Sequence, residues 1–312
     1  MVDKPKLIAV VGPTASGKTA LGIELARKFG GEIVSADSRQ IYRGMDIGTA
    51  KPTAEERRAV PHHLIDIKDP NEDYAVAEYQ RDAIAAINGI IARGNIPLLV
   101  GGTGLYIKAV LENLDIPKTQ ADPALRAEIE AEIARDGLDA VFKKLVARDP
   151  EAAYVVDPKN PRRVVRALEV AISTGEPFTA QRAKREPLFD ALVLGLNPSP
   201  KRLRERIDQR VDAMIRDGLV DETVALIKKY AKKNIHVPVA FDAIGYREII
   251  AYLDGALSLE KSVTAIKINT WHYAKRQMTW FKKTNHVNWA DSKEKTLLLA
   301  ESFFDKKMDA EQ

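Results

Sequence analysis

The segment LIAVVGPTASGKTALGIELARKF, residues 7–29, decides the fold class of this 312-residue chain. Its first five residues are apolar and predict a buried strand, and its last part predicts a helix with apolar residues at Leu21, Leu25 and Phe29. The loop between them, GPTASGKT, matches the phosphate-binding pattern G-x-x-x-x-G-K-[ST] in the required context of a strand before and a helix after. We therefore predict a β-loop-α unit that binds phosphate, and we call residues 12–19 the P-loop.

Each part of the P-loop has a physical role in that prediction. Glycines let backbone N–H groups face an anion, and the helix N-terminus adds positive potential. Lys18 is expected to reach the distal phosphate and Thr19 to ligate Mg²⁺. The predicted phosphate-binding residues are Gly12, Pro13, Thr14, Ala15, Ser16, Gly17, Lys18 and Thr19. The pattern leaves open whether the phosphate belongs to ATP or to another compound.

Predicted strands and helices alternate after the P-loop. EIVSAD is a second strand, LIDI is a candidate third, IPLLV is a strand that enters the glycine turn GGTG, and a helical stretch between them ends at Gly94. Alternation of this kind is typical of an α/β fold, here a mostly parallel, P-loop NTPase-like sheet with helices on both faces. Ligands of such sheets bind at the carboxyl ends of the strands.

A helical insertion interrupts this pattern. DPALRAEIEAEIARDG, LDAVFKKLVARD and PRRVVRALEVAISTG have helical periodicity, and ALVLGL, residues 191–196, is again a core strand. We predict an α/β core domain from residues 1–116 and 190–312, which includes the C-terminal helices. The helical insertion domain is predicted at residues 117–189.

The composition excludes several classes of protein. A hydrophobic fraction of 45% and a charged fraction of 29% are those of a soluble globular protein. Because cysteine is absent, there is no disulfide framework, thiolate zinc site or cysteine nucleophile. The sequence contains neither a signal peptide nor an apolar run of membrane-spanning length, so we expect a cytoplasmic protein with no membrane partner. The net charge of +4 favours an anionic partner weakly.

Basic and aromatic residues concentrate near the C-terminus. Residues 261–290 contain all three tryptophans and no Asp or Glu. In KRQMTWFKK, cations alternate with Trp280 and Phe281, a combination that neutralises phosphates and stacks on unpaired RNA bases. The alternative is an amphipathic helix whose aromatic rings are core and whose lysines are solvated. The composition favours a segment that serves both purposes.

Polar residues follow two strands at the predicted ligand edge. Asp37 ends EIVSAD and is either a magnesium-shell acid or a base that faces the substrate, the alternative being a cap of the next turn. IPLLV ends in Gly101, so it lacks the strand-end acid that P-loop NTPases use. Thr103 offers a hydroxyl to the same cleft, although a glycine turn is as often structural. His62 and His63 lack partners at metal-ligand spacing, and we expect them to be structural.

Three arginines lie on the predicted helix PRRVVRALEVAISTG. Arg162 and Arg166 are at positions i and i+4, Arg163 is one step round, and apolar residues occupy the other side. The spacing does not decide between arginines that face a ligand and a solvated face paired with Glu169.

The motifs occur in one order along the chain: GPTASGKT, SADSRQIYRGMDIGTAKP, PHHLID, GGTGLY, NPRRVVRALEV, DAIGYRE and KRQMTWF. This order resembles the tRNA dimethylallyltransferases, also called tRNA isopentenyltransferases, from about Leu7 to about Trp289. Eukaryotic members carry a C-terminal zinc finger, and since this chain has no cysteine it looks like the compact bacterial type.

The resemblance implies a reaction. The dimethylallyl group of dimethylallyl diphosphate is transferred to N6 of the adenosine 3′ of the anticodon in tRNA, diphosphate is released, and Mg²⁺ is the cofactor. On the matching positions, Lys18 and Thr19 hold the diphosphate and its magnesium, Asp37 is the general base, and Thr103 lines the reaction channel. These four are the implied catalytic residues. Arg210 resembles an arginine that binds the diphosphate, on a looser match.

The resemblance also implies a tRNA-binding surface on a protein that we expect to be a monomer. The insertion domain would clasp the anticodon stem-loop, and the residues around Asp37 would contact the extruded adenine. The implied tRNA contacts are Asp37, Ser38, Arg39, Gln40, Thr103, Arg126, Pro161, Arg162, Arg163, Val164, Val165, Arg166, Gly245, Tyr246, Arg247, Lys275, Arg276, Gln277, Trp280 and Lys282.

Other functions explain less of the sequence. A P-loop nucleotide or small-molecule kinase explains the P-loop and Asp37, but it leaves the insertion and the acid-free aromatic segment unexplained. A related isopentenyltransferase that modifies free adenylate leaves the RNA-type surface unused. A non-catalytic RNA-binding protein leaves the P-loop unused.

Overall fold

A computed structural model describes residues 4–116, 122–180, 185–230, 238–284, 286–290 and 293–305. The chain divides into two compact units, which we call the core unit, Met1–Leu111 with Leu188–Gln312, and the insertion unit, Glu112–Pro187. Within the described ranges, every helix is too short or too polar to traverse a bilayer.

The core unit is built on a six-stranded sheet. Each neighbouring pair of strands is parallel, and their order in the sheet is β3-β2-β4-β1-β5-β6. The strands are β1 (Lys6–Val11), β2 (Gly31–Ala36), β3 (His62–His63), β4 (Ile96–Gly101), β5 (Asp190–Leu196) and β6 (Val287–Ala290). The predicted α/β fold with a parallel sheet is confirmed.

Helices account for most of the remaining described residues. In the core unit they are α1 (Lys18–Phe29), α2 (Ala54–Ala59), α3 (Val76–Ala92), α4 (Gly104–Leu111), α9 (Pro200–Arg216), α10 (Leu219–Tyr230), α11 (Tyr246–Leu253), α12 (Leu259–Lys282) and α13 (Lys293–Asp305), with a short 3₁₀ helix at Val239–Asp242. In the insertion unit they are α5 (Pro123–Asp136), α6 (Leu138–Arg148), α7 (Ala152–Val155) and α8 (Pro161–Thr174).

Both faces of the sheet are covered by helices. Successive side chains of a strand point to opposite faces, so the central strand β1 contributes Leu7, Ala9 and Val11 to one face and Ile8 and Val10 to the other. The first face packs against α3, α4 and α12, and the second packs against α1 and α13. This two-sided burial explains why LIAVV is apolar at every position.

Two details of the sheet differ from the sequence-based expectation. The strand predicted at LIDI, residues 64–67, is wrong, because Leu64 and Asp66 adopt left-handed backbone angles and the third strand lies at His62–His63 instead. The edge strand β6 is not predicted by the sequence. Its Trp289 packs against Gly195 of β5, where an added Cβ would lie 2.6 Å from the indole ring.

The insertion unit has its own apolar core. Side chains from α5, α6, α7 and α8 form one cluster, which includes Ile129, Val141, Leu145, Val164 and Leu168. The sequence predicts α5, α6 and α8 from their periodicity, and the structure contains all three helices. The assignment of residues 117–189 to a separate tRNA-binding domain remains a prediction.

A buried carboxylate, Glu32, ties together the amino ends of the strands, opposite the P-loop edge. It accepts two hydrogen bonds from Arg93 (3.0 and 2.8 Å) and one from Asn95 Nδ2 (2.8 Å), and it lies 2.6 Å from His63 Nε2. The Arg93 hydrogen bonds lower the pKa of Glu32 to about 2, against the opposing effect of burial. His63 thus has a structural partner, and no cluster of three potential metal ligands occurs among the described residues.

Replacing Glu32 with Gln should destabilise the fold. Gln keeps the shape of the side chain but loses the charge that Arg93 meets, and we expect a loss of about 1–3 kcal/mol near neutral pH. An unfolded Glu has a pKa of about 4.3, so the carboxylate contributes fully above that value and its contribution falls as the pH approaches the folded pKa of about 2. The measurement is the midpoint of thermal unfolding at about pH 7 and about pH 3.5.

The control for this prediction is Glu55→Gln, which changes an exposed residue in the first turn of α2. We expect Glu32→Gln to lower the unfolding midpoint relative to wild type, and to lower it less at about pH 3.5 than at about pH 7. The control should have the wild-type midpoint at both pH values. A difference in unfolding midpoint between wild type and Glu32→Gln that is equal at both pH values would contradict the role assigned to the charge.

Candidate active site

The P-loop connects β1 to α1 and is shaped to accept an anion. Gly12 and Gly17 have φ angles of 146° and 100°, and a Cβ at Gly12 would lie 2.7 Å from the carbonyl oxygen of Leu196. Glycine is therefore required at both ends of the turn. The Ser16 hydroxyl is buried and has no hydrogen-bond partner within the described part of the chain, which leaves it available to a ligand.

Lys18 lies folded back over this loop. Its Nζ donates a hydrogen bond to the Pro13 carbonyl oxygen (2.6 Å). Burial lowers the pKa of Lys18 to about 7, the negative charge of Asp37 opposes this effect, and the positive charge of Arg210 adds to it. The charge of Lys18 therefore titrates near neutral pH, and a bound phosphate would favour its protonated form.

Two arginines of α9 contact the P-loop, four residues apart on one face of the helix. Arg206 Nη1 donates to the Ser16 carbonyl oxygen (3.0 Å), and Arg210 Nη1 donates to Thr14 Oγ1 (3.4 Å). Burial lowers the pKa of Arg210, and the neighbouring charge of Arg206 has the same direction. Sequence analysis missed Arg206, although its four-residue spacing from Arg210 was a usable signal. The structure places Arg210 at the P-loop, as the looser motif match implied.

Asp37 and Thr103 follow β2 and β4 and lie at the same edge of the sheet. Asp37 Oδ1 accepts hydrogen bonds from the backbone N–H groups of Arg39 (2.8 Å) and Gln40 (3.4 Å), so one of its oxygens is the turn cap considered above. Thr103 Oγ1 accepts a hydrogen bond from the backbone N–H of Ser38 (3.0 Å). The hydroxyl and the carboxylate are thus held by adjacent residues of one turn.

Helix α12 closes this edge of the site. Tyr273 lies near Thr103, and burial, together with the charge of Asp37, raises the pKa of Tyr273 to about 12. Trp280 packs on Gly104, where an added Cβ would lie 2.2 Å from the indole ring. Sequence analysis missed Tyr273, although Tyr273, Gln277 and Trp280 are spaced as one helical face.

The loop that follows Asp37 is held in place by polar contacts. Gln40 Nε2 donates to the carbonyl oxygens of Thr49 (3.3 Å) and Ala50 (3.2 Å). The carboxylate of Glu222 accepts hydrogen bonds from three successive backbone N–H groups at residues 46–48, at 2.8–3.2 Å, and from the Tyr246 hydroxyl (2.6 Å). Glu222 is a third residue that sequence analysis missed. The predicted contact of Gln40 with an adenine remains a prediction.

A cavity of about 580 Å³ lies between this loop and α9. Its walls combine apolar side chains such as Ile47 and Met214 with the charged residues Lys51 and Arg57. Arg210 lies on the wall of the cavity and also reaches the P-loop. Arg210 therefore connects the wall of this cavity to the P-loop.

The residues implied to bind tRNA differ widely in exposure. In the core unit, Arg247, Lys275, Arg276 and Lys282 are exposed, and Arg276 lies 5.9 Å from the ring centroid of Tyr273. Arg39 is half-buried and donates to the Val239 carbonyl oxygen (3.2 Å). The side chains of Val164, Val165, Tyr246 and Gln277 are buried, as is Gly245, which gives these residues a packing role. Their tRNA contacts remain predictions.

In the insertion unit, the buried carboxylate of Glu169 organises two of the implied tRNA contacts. It accepts hydrogen bonds from Arg166 Nη1 (2.8 Å), Arg126 Nε (3.0 Å) and the backbone N–H of Asp122 (2.8 Å). The pairing of Arg166 with Glu169, which the spacing left open, is present and extends to Arg126. Pro161, Arg162 and Arg163 are exposed in the first turn of α8.

Comparison with known proteins identifies the family. The family model described as IPP transferase matches residues 40–284, and the model described as isopentenyl transferase matches residues 5–74. A tRNA dimethylallyltransferase of Thermomicrobium roseum is 48% identical over 93% of this chain and 88% of its own length. The chain belongs to the tRNA dimethylallyltransferase family.

Solved structures of the family have the same fold. The tRNA isopentenylpyrophosphate transferase of Bacillus halodurans is 42% identical, with a TM-score of 0.71 and 98% of both chains covered. A eukaryotic dimethylallyltransferase, solved while acting on tRNA, is 28% identical, with a TM-score of 0.82 over 97% of this chain and 80% of that one.

The unusual pKa of Lys18 predicts proton uptake when the P-loop binds an anion. Lys18 is mostly neutral at about pH 8 and mostly protonated at about pH 6, and bound inorganic diphosphate should stabilise the protonated form. We expect Lys18 to contribute an uptake of about one proton at pH 8 and almost none at pH 6, in addition to any protons exchanged by the diphosphate itself. Calorimetric titration with Mg²⁺ and inorganic diphosphate in buffers of different ionisation enthalpy measures this uptake.

Lys18→Arg is the matched control, because an arginine keeps its charge at both pH values. Its proton uptake at pH 8 should be about one proton smaller than that of the wild type. Equal uptake by the two proteins would contradict the assignment of the titrating group to Lys18.

Proposed function

We propose that this protein is a tRNA dimethylallyltransferase, which transfers the dimethylallyl group of dimethylallyl diphosphate to N6 of the adenosine 3′ of the anticodon and releases diphosphate. Family membership supports this proposal. The structural observation that carries it is that the P-loop and Asp37 directly follow β1 and β2, two parallel strands of one sheet that end at the same edge. A cradle for a leaving diphosphate and a base for an attacking amine need to lie close together.

The proposed chemistry is a substitution at the allylic carbon. N6 attacks C1 of the dimethylallyl group, the bond between C1 and the diphosphate oxygen breaks, and diphosphate leaves with the electron pair. The N6 lone pair is delocalised into the purine ring, so a base that accepts the N6 proton assists the attack. Asp37 is the proposed base. Its Oδ1 holds the turn, whereas its Oδ2 makes no hydrogen bond within the described residues and is the oxygen that takes the proton.

The P-loop stabilises the negative charge of the departing diphosphate. The proposed contacts are the loop amides, Lys18 and Arg210, which lie on two sides of the loop in a partly buried setting where such contacts are strong. We assign the same purpose to Arg206, which sequence analysis missed. The proposed role of Thr103 is to line the channel beside Asp37, which its hydrogen bond with the Ser38 N–H supports.

Mg²⁺ fits the donors of this site. Thr19 lies in the first turn of α1 directly after Lys18, and its hydroxyl is the kind of oxygen ligand that Mg²⁺ prefers. No carboxylate cage occurs among the described residues, so the ion would be held by Thr19, by water and by diphosphate oxygens. When bound, Mg²⁺ neutralises part of the charge on the diphosphate.

The proposed tRNA contacts include exposed cations in each unit considered by itself. Lys275, Arg276 and Lys282 of α12 and Arg162 and Arg163 of α8 are suited to phosphate contacts, since each is exposed. The target adenosine must leave its base stack to reach Asp37, and backbone contacts offset the cost of a few kcal/mol. Because one chain carries the cradle, the base and these cations, we propose that it acts as a monomer in the cytoplasm.

A kinase is the alternative that shares the P-loop. Such an enzyme normally uses a strand-end acid for its magnesium shell, and β4 ends in Gly101. Family membership favours prenyl transfer over this alternative.

The test is an incubation of the protein with labelled dimethylallyl diphosphate, unmodified tRNA and Mg²⁺, with AMP and ATP as control substrates. We expect the label in tRNA, on N6 of the adenosine 3′ of the anticodon, and neither labelled AMP nor ATP turnover. Turnover of ATP without transfer to tRNA would support the kinase and contradict the proposal.

Asp37→Asn tests the role of Asp37 as a base and leaves its role as a turn cap intact. Asn retains an oxygen for the N–H groups of Arg39 and Gln40, but it accepts no proton. We expect the single-turnover transfer rate to fall about 10²–10⁴-fold, while the Kd for tRNA changes less than about twofold. Asp73→Asn, at an exposed position, is the control. A loss of tRNA affinity as large as the loss of rate would show that Asp37 is structural.

Lys282→Ala should affect tRNA binding in a way that depends on salt. If Lys282 contacts a phosphate, its removal weakens tRNA binding and reduces the slope of log K against log salt by about one. Filter binding at several salt concentrations measures both, with Lys201→Ala, at an exposed position in the first turn of α9, as the charge-matched control. An unchanged slope would contradict the contact.

A further inference from the structure

Gln277 lies near the C-terminal end of α12, yet its side chain points into the core unit. It is 6% exposed, and its amide bridges two loops of the site. Its Oε1 accepts a hydrogen bond from the backbone N–H of Thr14 (2.7 Å), and its Nε2 donates to the carbonyl oxygen of Gly102 (2.9 Å). The P-loop and the loop that carries Thr103 are therefore connected through one side chain.

The two partners of Gln277 require an amide. Thr14 offers a donor and Gly102 offers an acceptor, so the bridging group needs one acceptor and one donor in a fixed planar arrangement. A glutamate of the same length has two acceptors when ionised, and it would place negative charge against the Gly102 carbonyl oxygen. A leucine fills a similar volume with neither function.

The Gly102 loop is built to receive this helix. A Cβ at Gly102 would lie 2.3 Å from Gln277 Nε2, so the absence of a side chain allows the amide to approach. Tyr273 contacts Thr103 and Trp280 contacts Gly104, one turn before and one turn after Gln277. One face of α12 thus contacts three successive residues of the loop, and Gln277 alone of these three side chains reaches the P-loop.

We propose that Gln277 is a positioning residue of the transfer reaction, which fixes the P-loop at a set distance from the Gly102 to Thr103 turn. This inference rests on the proposed function. The P-loop holds the leaving diphosphate and the turn carries the hydroxyl beside Asp37, so their separation sets the distance between the allylic carbon and N6. A misplacement of about 1 Å costs about 10²-fold in rate for reactions that depend on proximity. Gln277 acts inside the protein and not as a contact to RNA.

Gln277→Leu removes both hydrogen bonds and keeps the volume. We expect the single-turnover transfer rate to fall about 10–100-fold and the Kd for tRNA to change less than about twofold. The Kd for Mg²⁺ with inorganic diphosphate should rise about 3–10-fold, because the P-loop is less preorganised. The control is Gln80→Leu, which removes a hydrogen bond between α3 and the Ala109 carbonyl oxygen (2.9 Å) away from the site.

Gln277→Glu distinguishes the proposed hydrogen-bond bridge from a role in packing alone. A protonated carboxyl group has one acceptor and one donor and restores the bridge, and burial raises the pKa of a glutamate toward neutral pH. The rate of Gln277→Glu relative to wild type should therefore increase between about pH 8 and about pH 6. The relative rate of Gln277→Leu should stay constant over the same range.

If Gln277→Leu fails to fold, Gly102→Ala is the substitute variant. Its added methyl group displaces the Gln277 amide from the Gly102 side of the bridge, and it should also lower the transfer rate.

Four results would overturn the inference. If Gln277→Leu loses as much tRNA affinity as transfer rate, Gln277 is an RNA contact. If it lowers the unfolding midpoint and leaves the rate unchanged, Gln277 is a packing residue. A relative rate of Gln277→Glu that does not change with pH would show that the hydrogen-bond bridge does not affect the reaction. Failure of the proposed function is distinguishable, because wild type itself would then transfer no label to tRNA. The diphosphate Kd needs no transfer, and an unchanged value in Gln277→Leu would still contradict the bridge.

Discussion

The structure depends on the amino end of α1 in the centre of the sheet edge, where the first backbone N–H groups of a helix have no partner within the helix. Unpaired donors at a helix N-terminus attract anions, but a loop that leaves them unpaired must be stabilised by other contacts. Arg206 holds the P-loop at Ser16, Arg210 holds it at Thr14, and Gln277 holds the Thr14 N–H. Helices α9 and α12, more than 180 residues away in sequence, therefore serve the loop that the first strand presents.

This constraint explains how a phosphate-binding loop of a common type serves prenyl transfer. A phosphoryl-transfer enzyme must stabilise charge on the phosphoryl group that is transferred. A prenyltransferase must stabilise charge on the leaving diphosphate and keep a base close to the allylic carbon that is attacked. In the proposed mechanism, Lys18 stabilises the leaving diphosphate and Asp37 is the base. The parallel sheet brings the two residues together because β1 and β2 end at the same edge.

Sequence reasoning succeeded where the position of a residue follows from local order. The P-loop, Asp37 and Thr103 each follow a strand directly, and the carboxyl ends of parallel strands meet at one edge, so their proximity follows from the fold class. It failed where function depends on packing between distant elements. The local sequence of Gln277 does not indicate that its side chain contacts the P-loop, and Arg206 is indicated only by its four-residue spacing from Arg210. The four-residue strand β6 is too short for a periodic signal. In α8, helical spacing separates the exposed arginines from the buried Val164 and Val165, but it did not decide whether the arginines face a ligand or pair with Glu169.

The central claim is that the P-loop holds a diphosphate that leaves from carbon, and the fate of one oxygen atom tests it most directly. Dimethylallyl diphosphate labelled with ¹⁸O at the oxygen that bridges C1 and phosphorus is incubated with the protein, tRNA and Mg²⁺, and the products are analysed by mass spectrometry. The account predicts that all of the ¹⁸O is found in released diphosphate, in equal amount to the modified adenosine. Label in dimethylallyl alcohol or dimethylallyl monophosphate would show that a bond to phosphorus breaks instead, and would contradict the account.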